Sequence, residues 1–148
     1  MTRLAPPKDV GTVLEALSNL RERAWTFEIV GDGPMRAEIE TQIARLGFED
    51  RIRVAGTCDD VASRLARAQI FVLSTDREGF PMSVLAAMRA GLPVVASDVG
   101  GICEAVEQGQ SGLIVPPRSV EAMAGSLASL IDDAGMRTSF SATARRRF

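Results

Sequence analysis

The sequence predicts an α/β fold, a doubly wound parallel sheet with helices on both faces. Three observations predict it. Apolar runs of strand length alternate along the chain with helical stretches, the pattern of parallel sheets whose crossovers are helices. Ile70 to Leu73 is an unbroken apolar run, as a strand covered on both faces requires. Glycines, prolines and small polar residues gather where strands give way to helices, at Gly31-Asp32-Gly33-Pro34, at Gly56-Thr57-Cys58, from Ser74 to Pro81 and at Gly100-Gly101. With 148 residues, 46% of them apolar and 24% charged, residues 1–148 suit one domain with its own core.

Each element follows from local chemistry. Met1 to Lys8 reads as a loop, because Pro6 and Pro7 forbid a helix. Asp9 is a good N-cap, and Val13, Leu14, Leu17 and Leu20 share one face of the helix behind it. Trp25, Phe27 and Ile29 alternate as a strand. A helix from Pro34 to about Leu46 is closed by Gly47, and Arg51 to Ala55 forms the next strand. Asp59-Asp60 opens and caps a helix reaching about Ala68. After the Ile70–Leu73 strand, Pro81 suits the first turn of a helix that Gly91 stops and Pro93 keeps stopped. Val94 to Ala96 is a strand, Ile102 to Glu107 a short helix, and Leu113 to Val115 the last strand. Pro116-Pro117 leads into a helix from Val120 to Ile131, which Gly135 separates from a final helix ending in Arg145, Arg146 and Arg147.

Composition excludes several functions. A net charge of −2 gives no reason to expect nucleic acid or anionic lipid as a partner of the whole molecule, so any phosphate site must be a local basic cluster. The absence of histidine removes His-based zinc sites, Ser-His-Asp arrangements and histidine bases. Cys58 and Cys103 lack metal-type spacing and read as buried, reduced thiols. No secretory leader pattern and no apolar run of membrane-spanning length occurs, so no transmembrane segment is expected and the expected compartment is the cytoplasm.

The chain is organised around Ser74 to Gly101. Glu78-Gly79-Phe80-Pro81-Met82-Ser83-Val84-Leu85, followed by Ala87-Met88-Arg89-Ala90-Gly91-Leu92-Pro93-Val94-Val95-Ala96-Ser97-Asp98-Val99-Gly100-Gly101, resembles the donor-binding signature of retaining glycosyltransferases of family four, the glycosyl transferases group 1. Those enzymes have the GT-B fold. The resemblance extends from Arg3 to about Arg147 and covers the C-terminal, Rossmann-like half of such an enzyme. It implies a nucleoside diphosphate sugar as substrate, no cofactor, and metal-independent transfer of a hexose to an acceptor hydroxyl.

It also implies roles residue by residue. Arg3 and Lys8, at the family's spacing, would clasp the donor's pyrophosphate in the place of a metal and stabilise charge on the departing diphosphate. Glu78 matches the first acid of a two-glutamate motif and would accept hydrogen bonds from hydroxyls of the transferred sugar. Gly79, Phe80 and Pro81 would bring backbone close to the donor, and the N–H groups of Met82, Ser83 and Val84 in the first helical turn would face its oxygens. The second acid falls at Ala86, whose methyl cannot hold the ribose hydroxyls and should instead pack within the helix. Gly31 and Gly33 suit a loop near the nucleotide, but equally any strand-to-helix turn; Gly100-Gly101 suits the donor crevice or tight packing. Asp59-Asp60 and Asp132-Asp133 read as helix openers rather than metal ligands.

Both ends look cut against the family pattern. In the implied strand order 3-2-1-4-5-6, the strand before Thr2-Arg3-Leu4 belongs in the middle of the sheet, and its loss would leave two neighbouring strands unpaired or pairing directly. No general base is visible, and the acceptor-binding domain would lie in a missing N-terminal half or a partner chain. The competing expectations are a non-catalytic nucleotide-sugar-binding module and, less favoured by the Glu78 motif, a GT-B epimerase.

Overall fold

The computed structural model describes residues 2–148. The elements are β1 (Thr2–Arg3), α1 (Val10–Ser18), β2 (Phe27–Asp32), α2 (Arg36–Leu46), β3 (Ile52–Gly56), α3 (Val61–Arg67), β4 (Phe71–Leu73), α4 (Met82–Arg89), β5 (Val94–Ser97), α5 (Ile102–Ala105), β6 (Gly112–Val115), α6 (Val120–Asp132) and α7 (Ala134–Arg147). All strand pairs are parallel. They form two three-stranded sheets, ordered β1-β2-β3 and β4-β5-β6. The expected order is thus present as two halves without a ladder between β1 and β4.

The loop expected over Met1 to Lys8 contains a strand at Thr2–Arg3, with Met1 outside the described residues. β1 pairs Thr2 with Gly31 and Arg3 with Asp32, at the carboxyl tip of β2. Among the described residues it pairs with β2 and not with β4. Cβ atoms at Gly31 and Gly33 would fall 1.9 Å from the Thr2 carbonyl oxygen and 2.6 Å from that of Leu4. These glycines therefore let β1 and its exit lie against the end of β2.

One core continues across the division. The central strand of the second sheet is buried at all four positions, and its side chains alternate. Val95 joins a cluster with Leu14 and Leu17 of α1, Ile39 and Ile43 of α2, and Met123 and Leu127 of α6. Val94 and Ala96 join a second cluster with Val84, Ala87 and Met88 of α4 and Ile102 of α5. Helices cover both faces.

Caps and breaks deviate from expectation in three places. Asp60 is the N-cap of α3 but makes no capping bond; its carboxylate accepts from Arg64 instead, at 2.8 Å. Asp133 does cap α7, accepting from the Met136 amide, and Gly135 lies inside that helix's first turn rather than before it. Asp132 is drawn to Arg23 at 2.9 Å. Cys103 is exposed and Cys58 half-buried, against the expectation of two buried thiols.

At the amino ends of the strands, Arg51 fastens the turn between α1 and β2. Its guanidinium donates to the carbonyls of Arg21, Arg23 and Trp25 and lies 3.8 Å from the centre of the Trp25 ring. A lysine keeps the charge but loses the planar fork. Arg51→Lys should therefore cost about 1–2 kcal/mol of stability, measured by urea denaturation.

Candidate functional site

A cleft opens where the strand order reverses, at the carboxyl ends of both half-sheets. Ligands of open α/β sheets bind at such a switch point. Its volume is about 820 Å³, and Pro7, Lys8, Asp76, Arg77, Glu78, Gly79, Val99 and Gly100 line it. Three loops supply those residues, the exits of β1, β4 and β5.

The first two loops are stitched together by backbone. Lys8 and Thr75 form an antiparallel bridge. The Asp9 amide donates to the Ser74 carbonyl at 3.0 Å, and the Asp76 amide to the Pro7 carbonyl at 2.9 Å. The buried Thr75 hydroxyl donates within reach of the Pro7 and Arg77 carbonyls, while its amide donates to the Ser97 hydroxyl at 3.0 Å. Lys8 is thereby aimed into the cleft, where its ammonium forms an ion pair with Glu78. Each side chain is about one-fifth exposed, at 19% and 16%.

The third loop seats Glu78. Gly100 adopts φ +49°, which favours glycine, and a Cβ there would lie 1.8 Å from the Glu78 carbonyl oxygen. The Gly101 amide donates to that same carbonyl at 3.3 Å. Tight packing explains the glycine at this turn, and Gly100 at the same time lines the cleft. By contrast, a Cβ at Gly79 would meet nothing within 4 Å, so open space lies above that residue.

The remaining expected residues are spread unevenly. Arg3 is exposed on β1 opposite Asp32 and does not line the cleft; the chain turns through residues 4–7 before Lys8 reaches it. Gly31 and Gly33 face the β1 backbone. Pro81 is the buried N-cap of α4, one position ahead of its expected place, and no side chain caps that helix. The Met82 amide is taken by the Phe80 carbonyl at 2.9 Å, so of the three expected amides this one is occupied. Ser83 is half-buried, Val84 is a fully buried core residue, and Phe80 and Met82 are 70% and 65% exposed on the rim. Ala86 is exposed, where packing inside the helix was expected.

Sequence reasoning passed over Asp76, Arg77 and Arg118. The first two directly precede Glu78 after a strand end, and that position could have flagged them. Arg118 follows β6 and binds Asp76 from 42 residues away, at 2.9 and 2.5 Å, a contact with no local signal. The hydrogen bond from Arg118, then its charge and that of Arg77, hold the Asp76 carboxyl below its ordinary range.

Fold and cleft together define a Rossmann-like α/β domain with its crevice at the switch point. Residues 1–133 match the family described as glycosyl transferases group 1, and the chain belongs to that family. Among its relatives, an alpha-D-kanosaminyltransferase of Streptomyces kanamyceticus is 33% identical over 139 residues, covering 91% of this chain and 36% of that protein. An exopolysaccharide phosphotransferase of Streptomyces coelicolor is 34% identical over 142 residues, 93% of this chain and 15% of that one. The chain thus spans well under half of these relatives. The solved structure of Anabaena HepE in complex with UDP and glucose matches with a TM-score of 0.92 at 28% identity, over 99% of this chain and 41% of that one. The separately crystallised C-terminal domain of a group 1 protein from Francisella tularensis shares the fold, with a TM-score of 0.89 at 24% identity over 98% of this chain and 80% of that one.

The two loop glycines should respond oppositely to a methyl group. Gly100→Ala should lose about 1–3 kcal/mol, since the left-handed backbone and the Glu78 carbonyl both oppose a Cβ. Gly79→Ala should stay within about 0.5 kcal/mol of the parent. Urea denaturation of both variants checks this.

Proposed function

We propose that this chain is the donor-binding part of a retaining, metal-independent glycosyltransferase that moves a hexose from a nucleoside diphosphate sugar to an acceptor hydroxyl. One observation carries the reading: Lys8 and Glu78, brought from two loops, meet in a cleft at the switch point. HepE, a structural relative, is described in complex with UDP and glucose. In the proposed reaction the bond from the sugar's anomeric carbon to the diphosphate breaks and negative charge grows on the leaving oxygens. Lys8 stabilises that growth more than the ground state, and Arg3 adds long-range positive charge from the neighbouring strand. Glu78 accepts hydrogen bonds from sugar hydroxyls. The acceptor would be held by a further domain or a partner chain. Among the described residues no helix is long and apolar enough to cross a membrane. The proposed compartment is the cytoplasm.

Ala86 favours a second reading, that of a nucleotide-sugar-binding module with little transfer of its own. A methyl leaves the ribose hydroxyls without a charged acceptor, a contact typically contributing about 1.5–3 kcal/mol. Ala86→Glu should then tighten UDP binding about ten- to a hundredfold in calorimetry, and no gain would remove the ribose argument.

The Lys8–Glu78 pair makes a sharper test. Without donor, Glu78 occupies the ammonium that the diphosphate needs; with donor, the carboxylate is released to the sugar. Glu78→Gln should bind UDP about two- to tenfold more tightly while losing the extra affinity for UDP-glucose over UDP. Calorimetry with both ligands measures the two changes. Equal changes for the two ligands would contradict the assignment of Glu78 to the sugar.

A further inference from the structure

We propose that Arg118 is a positioning residue for an anionic occupant of the cleft, cancelling from outside the wall a carboxylate charge that would repel a diphosphate. The inference deepens the donor-site reading and rests on it. The cleft wall carries Lys8 and Arg77 against Asp76 and Glu78, so its formal charges cancel. Lys8 is moreover already engaged by Glu78. A diphosphate approaching this wall gains no net attraction unless Asp76 is offset. Arg118 does this without lining the cleft. Its Nε and Nη2 donate to Oδ1 and Oδ2 of Asp76 at 2.9 and 2.5 Å, the two-pronged geometry that lysine cannot reproduce.

The backbone gives independent support. Among the described residues Arg118 is the sole non-glycine with positive φ, at 60°. Long side chains enter that region rarely, and glycine or asparagine is the usual occupant. Here the turn after β6 instead carries a guanidinium across the end of β5 to the loop after β4. Asp76 in turn donates its amide to the Pro7 carbonyl, next to Lys8, so the pair sits on the stitch that aims the cleft's cation. Arg118 and Arg77 act electrostatically on Asp76, Lys8 and Glu78 stand beside it on the wall, and Asp9 acts on Arg118.

Electrostatic cancellation and a purely mechanical latch make opposite demands on Asp76. The test measures binding of inorganic pyrophosphate and of UDP-glucose to the parent chain, Arg118→Asn, Asp76→Asn and the double variant, at low and high ionic strength. Asparagine tolerates the left-handed backbone, so Arg118→Asn removes the side chain without adding strain. We expect Arg118→Asn to weaken both ligands about three- to tenfold at low salt, with the gap closing at high salt. Asp76→Asn should bind both more tightly than the parent, and the double variant should regain at least parent affinity. In carbon-detected NMR the Asp76 carboxyl should titrate at higher pH in Arg118→Asn than in the parent. A latch would make Asp76→Asn as weak as Arg118→Asn, which overturns the inference, as would an unchanged affinity in Arg118→Asn. Parent chain that binds pyrophosphate but not UDP-glucose would sink the donor reading and leave the pyrophosphate comparison to judge Arg118. Failure to bind pyrophosphate at all would overturn the inference itself.

Discussion

The structure depends on how the two half-sheets are joined. Among the described residues no ladder connects β1 with β4, and a loop carries the backbone contacts between the half-sheets. Residues 4–9 run along the carboxyl end of β4 and exchange backbone hydrogen bonds with Ser74 and Asp76. Their side chains add contacts from the Ser74 hydroxyl to the Asp9 carboxylate and from the Thr75 hydroxyl to the Pro7 carbonyl. Beneath this stitch, the apolar cluster shared by α1, β5 and α6 supplies the bulk of the cohesion. Hydrophobic burial holds the halves together without direction, and the stitch fixes their register.

The same few bonds create the cleft. A parallel strand delivers its following loop to the carboxyl edge, and three such loops meet where the strand order reverses. Because the stitch lies at that edge, Lys8 cannot be moved without loosening the join between the sheets. Glu78 is fixed from the other side, its carbonyl resting on Gly100. The geometry of the charged pair therefore follows from backbone contacts on both partners, which hold more firmly than two surface side chains could by themselves.

Much of this was legible in the sequence. The Ile70–Leu73 run, the glycine turns after β2 and β5 and the spacing of Leu14 and Leu17 are local signals, which survive folding. Lys8 and Glu78 were legible through the family pattern. What escaped was set by long-range contact. The role of Gly31 and Gly33 depends on a β1 backbone that passes over them, and a glycine spared for a ligand looks the same in sequence as one spared for a strand. Asp60 looked like a capping acid because helix starts favour one, yet Arg64 within the same helix offers its carboxylate a charged donor. Ala86 looked like a packing residue, but α4 turns Val84, Ala87 and Met88 inward and leaves position 86 to solvent. Arg3 was placed with Lys8 by the family pattern, and it stands exposed on β1 outside the cleft that Lys8 lines.

The ion pair at the cleft also answers a problem of stability. An ammonium and a carboxylate that are each four-fifths covered would be costly if left apart, because burial removes water from both. Pairing them leaves neither charge unmet. On the proposed donor-site reading, a ligand must replace what it displaces, offering an anion to Lys8 and donors to Glu78 together. A bare diphosphate would meet only the first demand, and a free sugar only the second. A molecule joining the two would meet both, so on that reading the cost of opening the pair becomes a means of choosing an intact donor over either of its fragments.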